Sequence, residues 1–138
     1  MNVLWIEDDI NRIRGLLNPL KKHGVKLYEA TNYKQAIEFL NSELEFKLVV
    51  VDLIIPRGVD YSVEDLSISD LKIHGFLGIE ICKLFKEKYP NTPIVVISVV
   101  IDDKIYNELL NIGVVKIFRK GSLIPSELKD ELIELIND

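Results

Sequence analysis

Leu48-Val49-Val50-Val51-Asp52-Leu53-Ile54-Ile55-Pro56 is the stretch that decides the fold. Four apolar residues in succession, three of them β-branched, read as a strand buried on both faces. Such strands belong to parallel sheets covered by helices on each side. The run ends on a carboxylate, Asp52. A lone Asp in that position usually closes a turn or caps a helix, so its meaning depends on what stands around it.

Four further runs match it, giving strands at Val3–Ile6, Val25–Tyr28, Leu48–Val51, Ile94–Ile97 and Val114–Phe118. Segments of helical period separate them. Ile10, Ile13, Leu16, Leu17 and Leu20 form the first, with Asp9 as its expected cap and Pro19 as an expected kink. Ala36, Ile37 and Leu40 follow a Thr31-Asn32 capping signal. Ile79, Leu84 and Phe85 precede Pro90. Ile105, Leu109 and Leu110 end at Gly113. Leu128, Leu132, Ile133 and Ile136 follow Pro125. Five β-α units with right-handed crossovers predict an α/β, doubly wound, five-stranded parallel sheet of order 2-1-3-4-5 with helices on both faces. In such sheets ligands gather at the carboxyl ends of the strands.

The chain of 138 residues is 48% hydrophobic and 28% charged, the size of one domain over 1–138 with a core that needs neither disulfide nor metal. Its net charge of -5 argues against direct binding of nucleic acid, which calls for a basic face. The single cysteine, Cys82, excludes an internal disulfide and a multi-thiolate zinc site. No apolar run reaches the ~20 residues of a membrane span, and no signal peptide opens the sequence, so a cytoplasmic location and no membrane partner are expected. Trp5 and Cys82 read as packing residues. His23 reads as a helix end, and neither it nor His74 has metal-ligand spacing.

Strand ends carry the chemistry. Glu7 and Asp8 follow the first strand, Asp52 ends the third, Ser98 the fourth, and Lys120 follows the fifth. Three carboxylates at one edge repel one another, which raises at least one pKa unless a divalent cation resolves the conflict. Oxygen ligands suit Mg²⁺. A carboxylate nucleophile, a hydroxyl donor, an ammonium and a metal are what phosphoryl transfer requires.

These strings, Val3-Leu4-Trp5-Ile6-Glu7-Asp8-Asp9 and Val49 through Pro56 with Ser98 and Lys120, resemble a response-regulator receiver domain, of the CheY-like superfamily with a flavodoxin-like fold. The resemblance implies that Asp52 is the phosphoacceptor, taking a phosphoryl group from a histidine kinase or phosphotransfer protein. It implies Mg²⁺ (or Mn²⁺) held by Glu7, Asp8, Asp52 and the backbone carbonyl of Ile54. Ser98 and Lys120 would bind phosphoryl oxygens. Phosphorylation would bias a conformational switch read by a downstream effector protein, in a chain that catalyses only its own phosphorylation and dephosphorylation.

The sequence departs from the family pattern at several places. Gly121 replaces the proline after the lysine, Ile117 the aromatic residue three positions before it, and Val99 the small residue after the hydroxyl. Phe118 points to the wrong face to substitute. An atypical long segment at about 57–77, carrying Asp60, Glu64, Asp65, Asp70 and His74, lies between the third strand and third helix; uninterrupted loops beyond ~12–15 residues are uncommon. It reads either as a solvated loop or as a cover over Asp52. Two rival functions remain: a phosphate-independent receiver-like interaction scaffold, and a Mg²⁺-dependent phosphatase. The phosphatase usually places a second acid two residues after its nucleophile, where this chain has Ile54.

Overall fold

The computed structural model describes residues 1–58, 76–99 and 101–137, apart from the side chains of Arg12 and Leu16. Most of the 57–77 segment, with Asp60, Glu64, Asp65, Asp70 and His74, lies outside the described residues, as does the side chain of Leu16. Five strands form one parallel sheet: β1 (Asn2–Ile6), β2 (Lys26–Ala30), β3 (Leu48–Val51), β4 (Ile94–Ser98) and β5 (Lys116–Arg119), in the order β2-β1-β3-β4-β5. The expected topology and order are the observed ones. β1, β3 and β4 begin or end within one residue of the apolar runs. β2 and β5 start one and two residues later than expected and extend further, because both are partly exposed and continuous apolarity does not mark their ends.

Five α-helices lie among the described residues: α1 (Arg14–Lys21), α2 (Tyr33–Leu40), α3 (Leu77–Lys88), α4 (Asp103–Ile112) and α5 (Pro125–Asn137). The first helical segment opens as a 3-10 turn over Ile10–Ile13, and α1 then runs through Pro19 to Lys21. Asp9 therefore precedes the turn rather than capping α1, whose N-cap position is Ile13 without a side-chain bond. Asn32 caps α2 as its sequence suggests, accepting from Gln35 N at 2.8 Å, while the Gln35 side chain accepts from Thr31 N at 2.7 Å. Gly113 closes α4 in the left-handed region at φ 107°, where a side chain would be strained.

Strand alternation builds two core layers. Leu4, Ile6, Val49, Val51, Ile94 and Val96 face α2, α3 and α4; Val3, Trp5, Leu48, Val50, Val95 and Ile97 face α1 and α5. Trp5 is 2% exposed, its Cα paired with Glu29 and Val50. Cys82 is fully buried in the opposite layer, and burial pushes its thiol up to about 12. Leu110 departs from its expected core position and is exposed, as is Tyr106 one turn earlier. No helix among the described residues is long and apolar enough to cross a membrane.

Candidate functional site

The sheet's carboxyl edge is fixed first by backbone. Asp52 N donates to Ile6 O at 2.9 Å, and Glu7 N to Ala30 O at 2.9 Å, so the ladder reaches the functional residues themselves. Asp52 then closes its own turn, with Ile54 N donating to Asp52 Oδ1 at 3.1 Å. The ordinary turn role of a strand-end Asp and its place in the cluster therefore coexist.

Three elements bring their polar groups to that carboxylate. Ser98 Oγ donates to Asp52 Oδ1 at 3.2 Å. Lys120 Nζ lies 2.7 Å from Asp52 Oδ2 and 2.6 Å from Glu7 Oε2, bridging the ends of β3 and β1. Glu7 Oε1 also accepts from Asp9 N at 3.2 Å. Glu7, Asp52 and Ser98 are buried, whereas Asp8 is exposed at the rim. The expected residues Glu7, Asp8, Asp52, Ser98 and Lys120 thus converge; Ile54 joins them through its amide and its place in the cavity wall.

The electrostatics sharpen the expectation of a raised pKa. Glu7 is pushed up to about 7, chiefly by burial; the hydrogen bond from Lys120 opposes this, and the charge of Asp52 adds to it. Desolvation therefore outranks like-charge repulsion as the cause. Burial acts against the Lys120 ammonium, but its hydrogen bonds to Asp52 and Glu7 and the charges of those carboxylates together outweigh that and raise its pKa.

A cavity of about 430 Å³ opens over the cluster, lined by Glu7, Asp8, Asp52, Ile54, Val99 and Lys120 among others. Val99 lines this cavity and is 63% exposed. Carboxylate oxygens of Glu7, Asp8 and Asp52 lie within 4.8 Å of one another. An all-oxygen, acidic donor set beside open space fits a hard divalent cation such as Mg²⁺.

One structural residue escapes the sequence reading. A Cβ at Gly78, in the first turn of α3, would run into the Asp52 carbonyl oxygen and the Leu53 Cα, and Gly78 N donates to Leu53 O at 3.0 Å. The helix is seated directly on the backbone of Asp52 and Leu53. A glycine inside an otherwise apolar helix start is the available signal, since it weakens the helix unless close approach requires it. On the other side of the loop that follows Asp52, Tyr33 N and Lys34 N at the start of α2 donate to Pro56 O and Arg57 O at 2.8 and 3.0 Å.

No family model matches the chain, and no curated protein matches it by sequence. Solved structures do match. A two-component response regulator from Clostridium difficile superposes with a TM-score of 0.77 at 19% identity, covering 99% of this chain and 96% of that one. The chain has the fold of a response-regulator receiver domain. A CheY-like receiver domain protein from Methanospirillum hungatei gives a TM-score of 0.76 at 16% identity over 99% of this chain and 93% of that one. A response regulator from Burkholderia pseudomallei with a phosphorylated aspartic acid and a calcium ion gives 0.68 at 19% identity, over 96% and 71%. The receiver fold is the two-layered arrangement described above, with Asp52 at the carboxyl end of its central strand.

Proposed function

We propose that the chain is a phosphoacceptor receiver domain, spanning 1–138, of a two-component or phosphorelay system, and that Asp52 takes the phosphoryl group. The observation that carries this reading is the doubly held carboxylate. Ser98 Oγ meets one Asp52 oxygen at 3.2 Å and Lys120 Nζ the other at 2.7 Å. A hydroxyl and an ammonium are therefore already beside the atoms where phosphoryl charge would develop.

In the reaction, an Asp52 carboxylate oxygen attacks phosphorus and an O–P bond forms as the donor's P–N bond breaks. The electron pair leaves with the imidazole of a histidine kinase or phosphotransfer protein. A small acyl phosphate donor would lose its P–O bond in the same way. Lys120 neutralises charge on the transferred group, and Ser98 donates to one of its oxygens. Glu7, Asp8, Asp52 and the Ile54 carbonyl would hold Mg²⁺ or Mn²⁺, which when bound supplies further positive charge to the phosphoryl oxygens. Glu7 and Asp52 are themselves buried, which strengthens their interactions with Lys120. The chain acts on itself rather than turning over a foreign substrate, and a downstream effector reads the result.

Incubation with acetyl phosphate and Mg²⁺ tests this by intact mass. The expected outcome is uptake of one phosphoryl group by the wild type and none by Asp52→Asn. No uptake by the wild type would favour the phosphate-independent scaffold; uptake that survives Asp52→Asn would move the acceptor elsewhere.

A further inference from the structure

Arg119 has no role in the chemistry above, yet it adjoins Lys120 and pairs in register with Ser98. Neighbouring strand residues face opposite ways. Ile117, two residues earlier, packs on the layer of α2, α3 and α4, and Phe118 on the other. Arg119 therefore lies on the Ile117 side, towards α4, while Lys120 turns into the carboxylates. Arg119 Nη2 donates to Ile101 O at 2.8 Å. Ile101 is buried, and the next residue, Asp102, caps α4 by accepting from Ile105 N at 2.8 Å. Ser98 and Ile101, described residues on either side of Val100 between β4 and α4, are thus each held, Ser98 by Asp52 and Ile101 by Arg119.

We infer that Arg119 is a positioning residue that holds the β4–α4 connection in the arrangement suited to an unmodified Asp52. The inference rests on the phosphoacceptor reading. Once an Asp52 oxygen is esterified to phosphorus, it accepts poorly, and the better acceptors are the phosphoryl oxygens further out. Ser98 must turn or shift to reach them. Because Ser98 pairs with Arg119 and begins the connection that Ile101 ends, that shift works against the Arg119–Ile101 bond. The bond is charge-assisted, and no aromatic ring occupies position 117 to tie the same face by packing. A ligand that favours the rearranged state gains affinity when the competing state loses a bond.

Calorimetric titration of the full chain with beryllofluoride in excess Mg²⁺ tests this on wild type, Arg119→Met and Arg119→Lys. Arg119 is exposed, and methionine keeps much of its apolar stem, so both variants retain the fold. Arg119→Met is expected to bind beryllofluoride about three- to tenfold more tightly. Arg119→Lys should reverse part of that gain, since an ammonium can donate to the same carbonyl. Affinity for Mg²⁺ alone should be equal in all three. Equal or weaker beryllofluoride binding by Arg119→Met overturns the inference, and so does a gain that Arg119→Lys leaves in full. Failure of the wild type to bind beryllofluoride overturns the phosphoacceptor reading itself and takes this inference with it.

Discussion

Two glycines border the carboxylate cluster, and they sit in opposite kinds of surroundings. Gly78 is buried, with α3 pressed through it onto the backbone of Asp52 and Leu53. Gly121 follows Lys120 in an exposed 3-10 turn, where an added Cβ would meet nothing within 4 Å. The half of the site on β1 and β3 is therefore fixed by main-chain packing. Beyond the ladder that pairs Ser98 with Arg119, the half on β4 and β5 is held by individual side-chain bonds from Ser98, Arg119 and Lys120. Fixing the Asp52 backbone while holding its partners by separate side-chain bonds would suit the proposed role, in which a site must react and then report.

The same substitution on both sides tests that division. Gly78→Ala should have the largest effect. Crowding a packed backbone costs about 1–3 kcal/mol, and displacing Asp52 should slow phosphoryl uptake on the order of ten- to a hundredfold. Thermal unfolding and the acetyl phosphate rate measure both. An alanine accepted at Gly78 without loss would end the distinction between the two halves.

Glu7 gives an effect on stability alone, comparable at its greatest to that of Gly78 but dependent on pH. Its carboxyl is raised from 4.5 to about 7, so folding favours the protonated form. The stability this confers is fully present below pH 4.5 and is lost as pH rises through about 7. Glutamine cannot ionise. In the absence of divalent cations, Glu7→Gln should therefore gain on the wild type between pH 4.5 and 8, by up to about 3 kcal/mol. Denaturant midpoints across that range check the slope; a parallel pH dependence in the two proteins would remove Glu7 as its source. Gly121→Ala should do least. It should change stability by no more than about 0.5 kcal/mol, and upward if at all, with the phosphorylation rate unchanged.

Much of this is legible in the sequence itself. Continuous apolar runs located β1, β3 and β4, because burial on two faces leaves no room for polar residues. Their endpoints then placed Glu7, Asp52 and Ser98 at one edge. The cap of α2 at Asn32 and the end of α4 at Gly113 were legible because both depend on residues a few positions away. What escaped depends on distant contacts. The need for glycine at position 78 arises where α3 meets the backbone of Asp52, and the Arg119 bond joins residues 18 apart in sequence. Asp102, which caps α4 by accepting from Ile105 N, is by contrast a local signal. Leu110 carried the helical period into solvent, since periodicity marks a face without saying whether anything covers it.

The burial of Trp5 has a practical side. It is the chain's one tryptophan, enclosed in the layer shared with α1 and α5 and two residues before Glu7. A single indole in apolar surroundings gives tryptophan fluorescence from one environment, with no second indole to separate. Unfolding would expose it to water and shift its emission to longer wavelength. A cation or phosphoryl group arriving above the same strand would reach it first as a change in intensity. The molecule is in effect supplied with its own optical gauge, placed beneath the carboxylates and needing no label.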